Sequence, residues 1–164
     1  MFSIRNAGTA DISLIRELTY QVWPQTYSGI LSAAQIDYML EMMYSEASLI
    51  QQMEGGARFI IVQENEVPVG FASFQEIAPA LYKLHKLYVL PSQQGKGTGR
   101  FMIDHIIGVI KKAGADALHL QVNRNNKAKS FYEKLGFSAI KEINLDIGNG
   151  YVMDDYIMEL KLKD

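Results

Sequence analysis

The chain has 164 residues, 48% of them hydrophobic, and a formal net charge of −2. That length fits one domain, residues 1–164, by the usual roughly 100–200 residues per domain, and the apolar residues are spread along all of it. The charge argues against a nucleic-acid partner held by bulk electrostatics and mildly favours a cationic substrate. No cysteine is present, so disulfides, thiol nucleophiles and thiolate metal sites are excluded. MFSIRNAG is too polar for a signal peptide, and no run of about 18 apolar residues could span a bilayer; a cytoplasmic protein with no membrane partner is expected.

Phe2-Ser3-Ile4-Arg5 alternates as a first strand. Thr9-Ala10-Asp11 offers caps for a helix marked by Ile12, Ile15, Leu18, Tyr20 and Val22, which Pro24 should end or kink. Tyr20 is expected in the core. Ser32 caps a second helix (Ile36, Met39, Leu40, Met43), and Ser45 a short third one (Leu49, Ile50, Met53) that ends at Gly55-Gly56. Phe59 to Val62 and Val67 to Gln75 form a hairpin around Glu64-Asn65-Glu66.

Residues 81–90 form the next strand, with Leu84, Leu87, Val89 and Leu90, stopped by Pro91. Simple alternation puts His85, Leu87 and Val89 on one face. Three glycines then fall within residues 95–99, and Phe101, Met102, Ile106, Ile107 and Ile110 mark a helix over 97–113. A glycine-rich turn before a helix exposes unpaired N–H groups that suit a phosphate or pyrophosphate. A Rossmann fingerprint fails, since its third glycine would fall at Arg100 or Met102. A P-loop fails because Lys96 is followed by Gly97. Gln-x-x-Gly-x-Gly, at Gln94, Gly97 and Gly99, does fit. Ala117 to Val122 is a strand, Lys127 to Leu135 a helix stopped by Gly136, and Phe137 to Ile143 and Tyr151 to Leu160 are two strands around Gly148-Asn149-Gly150. The order predicts an α/β domain with a mixed, mostly antiparallel sheet.

The Gln94/Gly97/Gly99 loop is followed, a helix and a strand later, by Asn125, Ala128, Phe131, Tyr132, Gly136 and Phe137. Together these resemble the two signatures of the GNAT superfamily of N-acetyltransferases. Trp-Pro-x-Thr-Tyr at 23–27, Tyr-Met-Leu at 38–40 and the ending GNGYVMDDYIMEL resemble its bacterial spermidine/spermine acetyltransferase branch. The resemblance implies the GNAT fold: a twisted sheet of about seven strands, helices on both faces, and a central parallel pair splayed to admit a pantetheine arm. It implies acetyl-CoA as cosubstrate and no metal.

The same resemblance carries over to individual residues. The backbone of about residues 95–100 would hold the pyrophosphate, with Gln94, Gly95, Lys96, Gly97, Thr98, Gly99 and Arg100 as cofactor contacts. The main chain of Leu87 and Val89 would pair with the pantetheine amides. Asn125, Lys127 and Lys134 are further cofactor candidates, Asn125 doubling as a helix cap. Tyr132, a phenol of pKa ~10, could protonate the departing thiolate, or be a core tyrosine. His85, with an imidazole pKa of ~6.5, could deprotonate the amine where the family often has a glutamate; Glu76 is the alternative. Trp23 and Tyr27 could form a wall for a cation, and Asp154 or Asp155 could hold an ammonium, though in a strand these two cannot face the same way. His105 and His119 are read as structural.

The reaction implied is direct attack of a primary amine on acetyl-CoA in a ternary complex. A small amine or polyamine in a closed acidic pocket comes first, and a protein N-terminus or lysine in an open groove second. A non-catalytic acetyl-CoA sensor is the alternative class. Homodimerisation is left open.

Overall fold

The computed structural model describes residues 1–163. Strand β1 (Phe2–Ala7) lies antiparallel to β2 (Arg58–Glu64), which forms a hairpin with β3 (Val67–Ala78). Asn65 and Glu66 adopt left-handed φ values of 51° and 71° in the tight turn between them. Helix α1 (Ile12–Tyr27) runs through Pro24 rather than ending there. Trp23 and Tyr27 explain this: both are buried, with ring centroids 4.6 Å apart, so tertiary packing outweighs the hydrogen bond that proline forfeits. Tyr20 is 46% exposed on the opposite side of α1, which corrects its expected place in the core. Helices α2 (Ala33–Tyr44) and α3 (Glu46–Glu54) start as predicted, at Ser32 and Ser45, whose hydroxyls accept from Gln35 N (3.1 Å) and Ser48 N (3.2 Å).

The rest alternates strand and helix: β4 (Leu81–Val89), α4 (Thr98–Lys112), β5 (Ala117–Asn123), α5 (Ala128–Lys134), then the hairpin β6 (Ser138–Gly148) and β7 (Tyr151–Lys161). The sheet order is β1-β2-β3-β4-β5-β7-β6, antiparallel throughout except for β4–β5. Two cores result, one on each face. Helices α4 and α5 cover the first, where Met102, Ile103, Ile106 and Ile110 of α4 are fully buried, each contributing roughly 1.5–3 kcal/mol. Helices α1, α2 and α3 cover the second, built on Ile15, Trp23, Leu49, Ile61 and Phe71. Among the described residues, no helix is long and apolar enough to cross a membrane.

Two features of β4 prepare the site. Its pairing with β5 runs only from Leu81↔Ala117 to Leu84↔Leu120, while β4 continues to Val89 and β5 to Asn123. The two strands therefore diverge, each still held on its outer side by β3 or β7. The second feature is a register shift against β3: Phe74 faces Leu84 but Ser73 faces Lys86, leaving His85 as the extra residue of a β-bulge. The bulge overturns simple alternation. Leu84, Leu87 and Val89 pack on the α4 side, while Tyr88 packs on the α1 side, so His85 does not share a face with Leu87 and Val89.

Candidate active site

The glycine-rich loop lies at the α4 side of the divergence. Gly95 and Gly97 have φ of +78° and +80°, values that favour glycine, and these turns bring the chain into α4. The first bond within this region of α4 runs from Phe101 N to Gly97 O (3.0 Å), so the amides of Thr98, Gly99 and Arg100 have no intrahelical acceptor. Gly99 packs close to α5: a Cβ there would lie 3.2 Å from the Phe131 ring, a tight contact. Lys96 reaches Glu64 at 3.5 Å, and Arg100 is an exposed side chain beside Asp104. Thr98 points inward instead, donating to Gln93 Oε1 at 2.9 Å with both residues buried. Gln93, which also donates to Glu64, is the loop's internal brace; nothing in the sequence distinguished it from Gln94, which is exposed.

The edge of β4 faces the gap with main-chain groups. Leu90 N donates to Val69 O at 2.8 Å, so by antiparallel alternation the N–H and C=O of Leu87 and Val89 point away from β3, toward β5. On α5, Tyr132 is buried and held edge-on between Phe131 and Phe137, with centroids at 5.2 and 5.7 Å. Burial, and then the neighbouring Tyr27, push its phenol pKa well up, so it keeps its proton at neutral pH. Asn125 is exposed, its N–H donating to Asn123 Oδ1 at 2.9 Å. The capping bond before α5 comes from Asn126 instead, whose Oδ1 accepts from Ala128 N. Lys127 and Lys134 are exposed at the two ends of α5.

On the other face, a cavity of about 490 Å³ opens between the sheet, α1, α2 and the β6–β7 hairpin. Helix α2 is tied down onto that hairpin. Gln35 Nε2 donates to Val152 O (3.0 Å), Tyr38 Oη donates to Ile147 O (2.7 Å), and Tyr38 stacks obliquely on Tyr151. Trp23 and Tyr27 line the cavity, as do Lys83, His85, Lys86 and Tyr88 of β4, Gln121 and Asn123 of β5, and Asp155 of β7. Tyr27 and Tyr88 share a hydroxyl–hydroxyl hydrogen bond of 3.1 Å. Burial first, and then proximity to Tyr27, raise the phenol pKa of both Tyr88 and Tyr132, so all three hydroxyls keep their protons.

His85 lies at the rim. Gln75 donates through Nε2 to Gly55 O (2.8 Å), so its Oε1 must accept from His85 Nε2 (3.1 Å). The neutral ring thus carries its proton on Nε2 and its lone pair on Nδ1. Partial withdrawal from water, then repulsion by Lys83 and Lys86, pushes its pKa down to about 4. Glu76 lies outside the cavity, accepting from Ala80 N at 3.2 Å in the β3–β4 turn. Asp154 is also outside, bonded to Arg124 at 3.1 Å. Its neighbour Asp155 takes the cavity position, because adjacent strand residues face opposite ways. Asp155 is 3% exposed; burial first, then Asp154, push its pKa up to about 6 against the pull of Lys83.

Lys83 and Lys86 were not among the expected site residues. A signal was present: Leu84-His85-Lys86-Leu87 places two polar residues in succession within an apolar strand, the pattern of a bulge. His119 is bonded to Glu159 at 2.8 Å. Among the described residues, no group of three or more His, Cys, Asp or Glu gathers as a metal site.

Residues 29–160 match the Acetyltransferase (GNAT) domain family. The chain belongs to that family, a class of acetyl-transferring enzymes. It is 27% identical over 140 residues to the spermidine N(1)-acetyltransferase of Thermoplasma acidophilum, covering 82% of this chain and 86% of that one. It is 31% identical over 88 residues to the ribosomal protein bS18-alanine N-acetyltransferase of Haemophilus influenzae, covering 52% of this chain and 59% of the relative. In three dimensions it is similar to the PaiA N-acetyltransferase of Thermoplasma acidophilum in complex with coenzyme A, with a TM-score of 0.82 and 26% identity over 98% of this chain and 99% of that chain.

Proposed function

We propose that this N-acetyltransferase moves the acetyl group of acetyl-CoA to a small primary amine held in the cavity between α2 and the β6–β7 hairpin. The observation that carries this reading is the cavity itself: about 490 Å³, walled on one side by α2, and lined by the two strands whose divergence opens a gap in the sheet. A relative named for an alanine of a ribosomal protein favours a peptide acceptor, but the bonds from Gln35 and Tyr38 tie α2 to the β6–β7 hairpin beside the cavity, which favours a smaller acceptor.

The residues on the α4 side fit acetyl-CoA. The free amides of Thr98, Gly99 and Arg100 suit the pyrophosphate, with Gln94, Gly95, Lys96 and Gly97 shaping the approach. The gap-facing main chain of Leu87 and Val89 suits the pantetheine amides, and one of these N–H groups can polarise the thioester carbonyl. Asn125, Lys127 and Lys134, exposed before and along α5, are further candidates for cofactor contacts.

In the transfer, the amine nitrogen attacks the carbonyl carbon, the C–N bond forms and the C–S bond breaks. Tyr132, still protonated at neutral pH, donates to the sulfur as negative charge develops there. The amine's surplus proton must leave. Asp155, with a pKa near 6, is matched to hold the ammonium and pass its proton toward solvent. His85, neutral at pH 7, offers Nδ1 as an acceptor at the rim. Trp23 and Tyr27 wall the acceptor.

The likeness to a spermidine acetyltransferase supports a polyamine acceptor. The cavity's charges support a smaller amine, since two lysines and a single carboxylate line it. The test is amine-dependent release of free thiol from acetyl-CoA, with wild type and Tyr132→Phe. We expect thiol release to require an amine, and Tyr132→Phe to lower kcat about 10²-fold with little change in KM for acetyl-CoA. An unchanged kcat would remove the acid role. No release with any small amine would remove the small-amine reading.

A further inference from the structure

Lys86 is a buried ammonium, 9% exposed, in the wall of the acceptor cavity. Neither it nor Lys83 joins an ion pair among the described residues. Its nearest compensation is the face of the Tyr44 ring, 4.4 Å from Nζ. A ring face offsets only part of the cost of burying a charge. The Trp23 ring also packs against Tyr44, at 5.6 Å, and its Nε1 is buried with no hydrogen-bond partner in the structure. Lys83 gives one donor to Gln121 and keeps two. Lysine and indole nitrogens can only donate. Around Tyr44 the cavity thus gathers donors that lack acceptors. What would satisfy them is an anionic oxygen group on the molecule that fills the cavity.

The opposite charge lies on Asp155, close enough to Lys83 for each to act on the other. Among the described residues Asp155 is the cavity's one carboxylate, at the end of β5–β7 pairing, opposite Asn123. The remaining wall includes Met39, Met43, Ile147 and Met153, which suit an apolar side chain. We infer that the acceptor is an amino acid with an apolar side chain, its carboxylate bound by Lys86 and Lys83 beside Trp23 and its ammonium directed to Asp155. The bulge at His85 makes this possible, because it turns Lys86 onto the cavity side while Lys83 stays there. This inference rests on the small-amine reading above and names the substrate class for the same cavity.

The experiment compares kcat/KM for leucine, leucinamide and 3-methylbutylamine, and repeats the set with phenylalanine, phenylalaninamide and phenethylamine. The amide's amine is the more acidic, so more of it is already neutral at pH 7. A preference for the acid therefore cannot arise from the supply of free amine. We expect the acid to be preferred, and the acid-to-amide ratio to fall about tenfold or more in Lys86→Met and in the same direction in Lys83→Gln. A general loss of packing would lower both substrates together and leave the ratio in place, which overturns the inference. Equal or better turnover of the amide or the decarboxylated amine by wild type also overturns it, and leaves the small-amine reading standing. If no amine is turned over, the small-amine reading fails, and the anion site is judged by melting temperature. N-acetyl-leucine raising it in wild type but not in Lys86→Met supports the site; no shift in wild type overturns it.

Discussion

The two sides of the sheet present different kinds of surface to the ligands proposed for them. The loop at residues 94–100 offers backbone: glycines with left-handed φ and helix amides without acceptors, contributed by seven successive residues. The cavity on the other face offers side chains, contributed by α1, α2, β4, β5 and β7, and burial is the largest influence on the charges of Lys83, Lys86 and Asp155. A site made of consecutive backbone reads as a motif, and tolerates change in its side chains. A site made of distant side chains has no motif, and each member matters separately.

The comparison can be broken first at the loop. Gly97→Val forces a β-branched residue into a left-handed φ of 80°, and should cut acetyl-CoA affinity about tenfold or more by calorimetry. Retained affinity would mean that the loop's conformation is not what binds.

The next largest effect is expected in the cavity, on stability. The folded pKa of Lys86, about 8, lies below its ordinary 10.5, chiefly because of burial. Between those values the unfolded chain binds more protons, so stability rises with pH there. At pH 7 the buried charge is a cost. Lys86→Met should therefore gain on the order of 1–3 kcal/mol at pH 7 in urea unfolding, and its advantage should shrink between pH 8 and 10.5. A loss of stability at pH 7 would mean that the ring contact with Tyr44 outweighs the burial cost.

The smallest effect sharpens the contrast. Arg100 has a 68% exposed side chain beside the loop. Arg100→Gln should raise KM for acetyl-CoA by about 2–3-fold at low salt, and less at high salt, where screening removes its contribution. A change as large as that of Gly97→Val would mean that side-chain charge, and not backbone, dominates this region.

The sequence by itself determined the order of elements, the family, the loop at Gln94 to Arg100 and the place of Tyr132. These are written in local patterns: apolar period, capping serines, glycines before a helix, and an aromatic pair on α5. The tertiary structure decided the rest. Pro24 lies inside α1 because Trp23 and Tyr27 are buried on either side of it, and a proline pattern carries no record of packing. Asp155 replaces Asp154 because the register of β7 decides which carboxylate turns inward, and a pair of adjacent aspartates has no preferred phase. Lys86 joins the cavity because one extra residue in β4 reverses the alternation after His85, and a bulge is defined by the strand it pairs with. The pKa values of His85, Lys86 and Asp155 follow from burial first and then from neighbouring charges, Lys83 acting on all three, and only assembly of the distant strands and helices buries them.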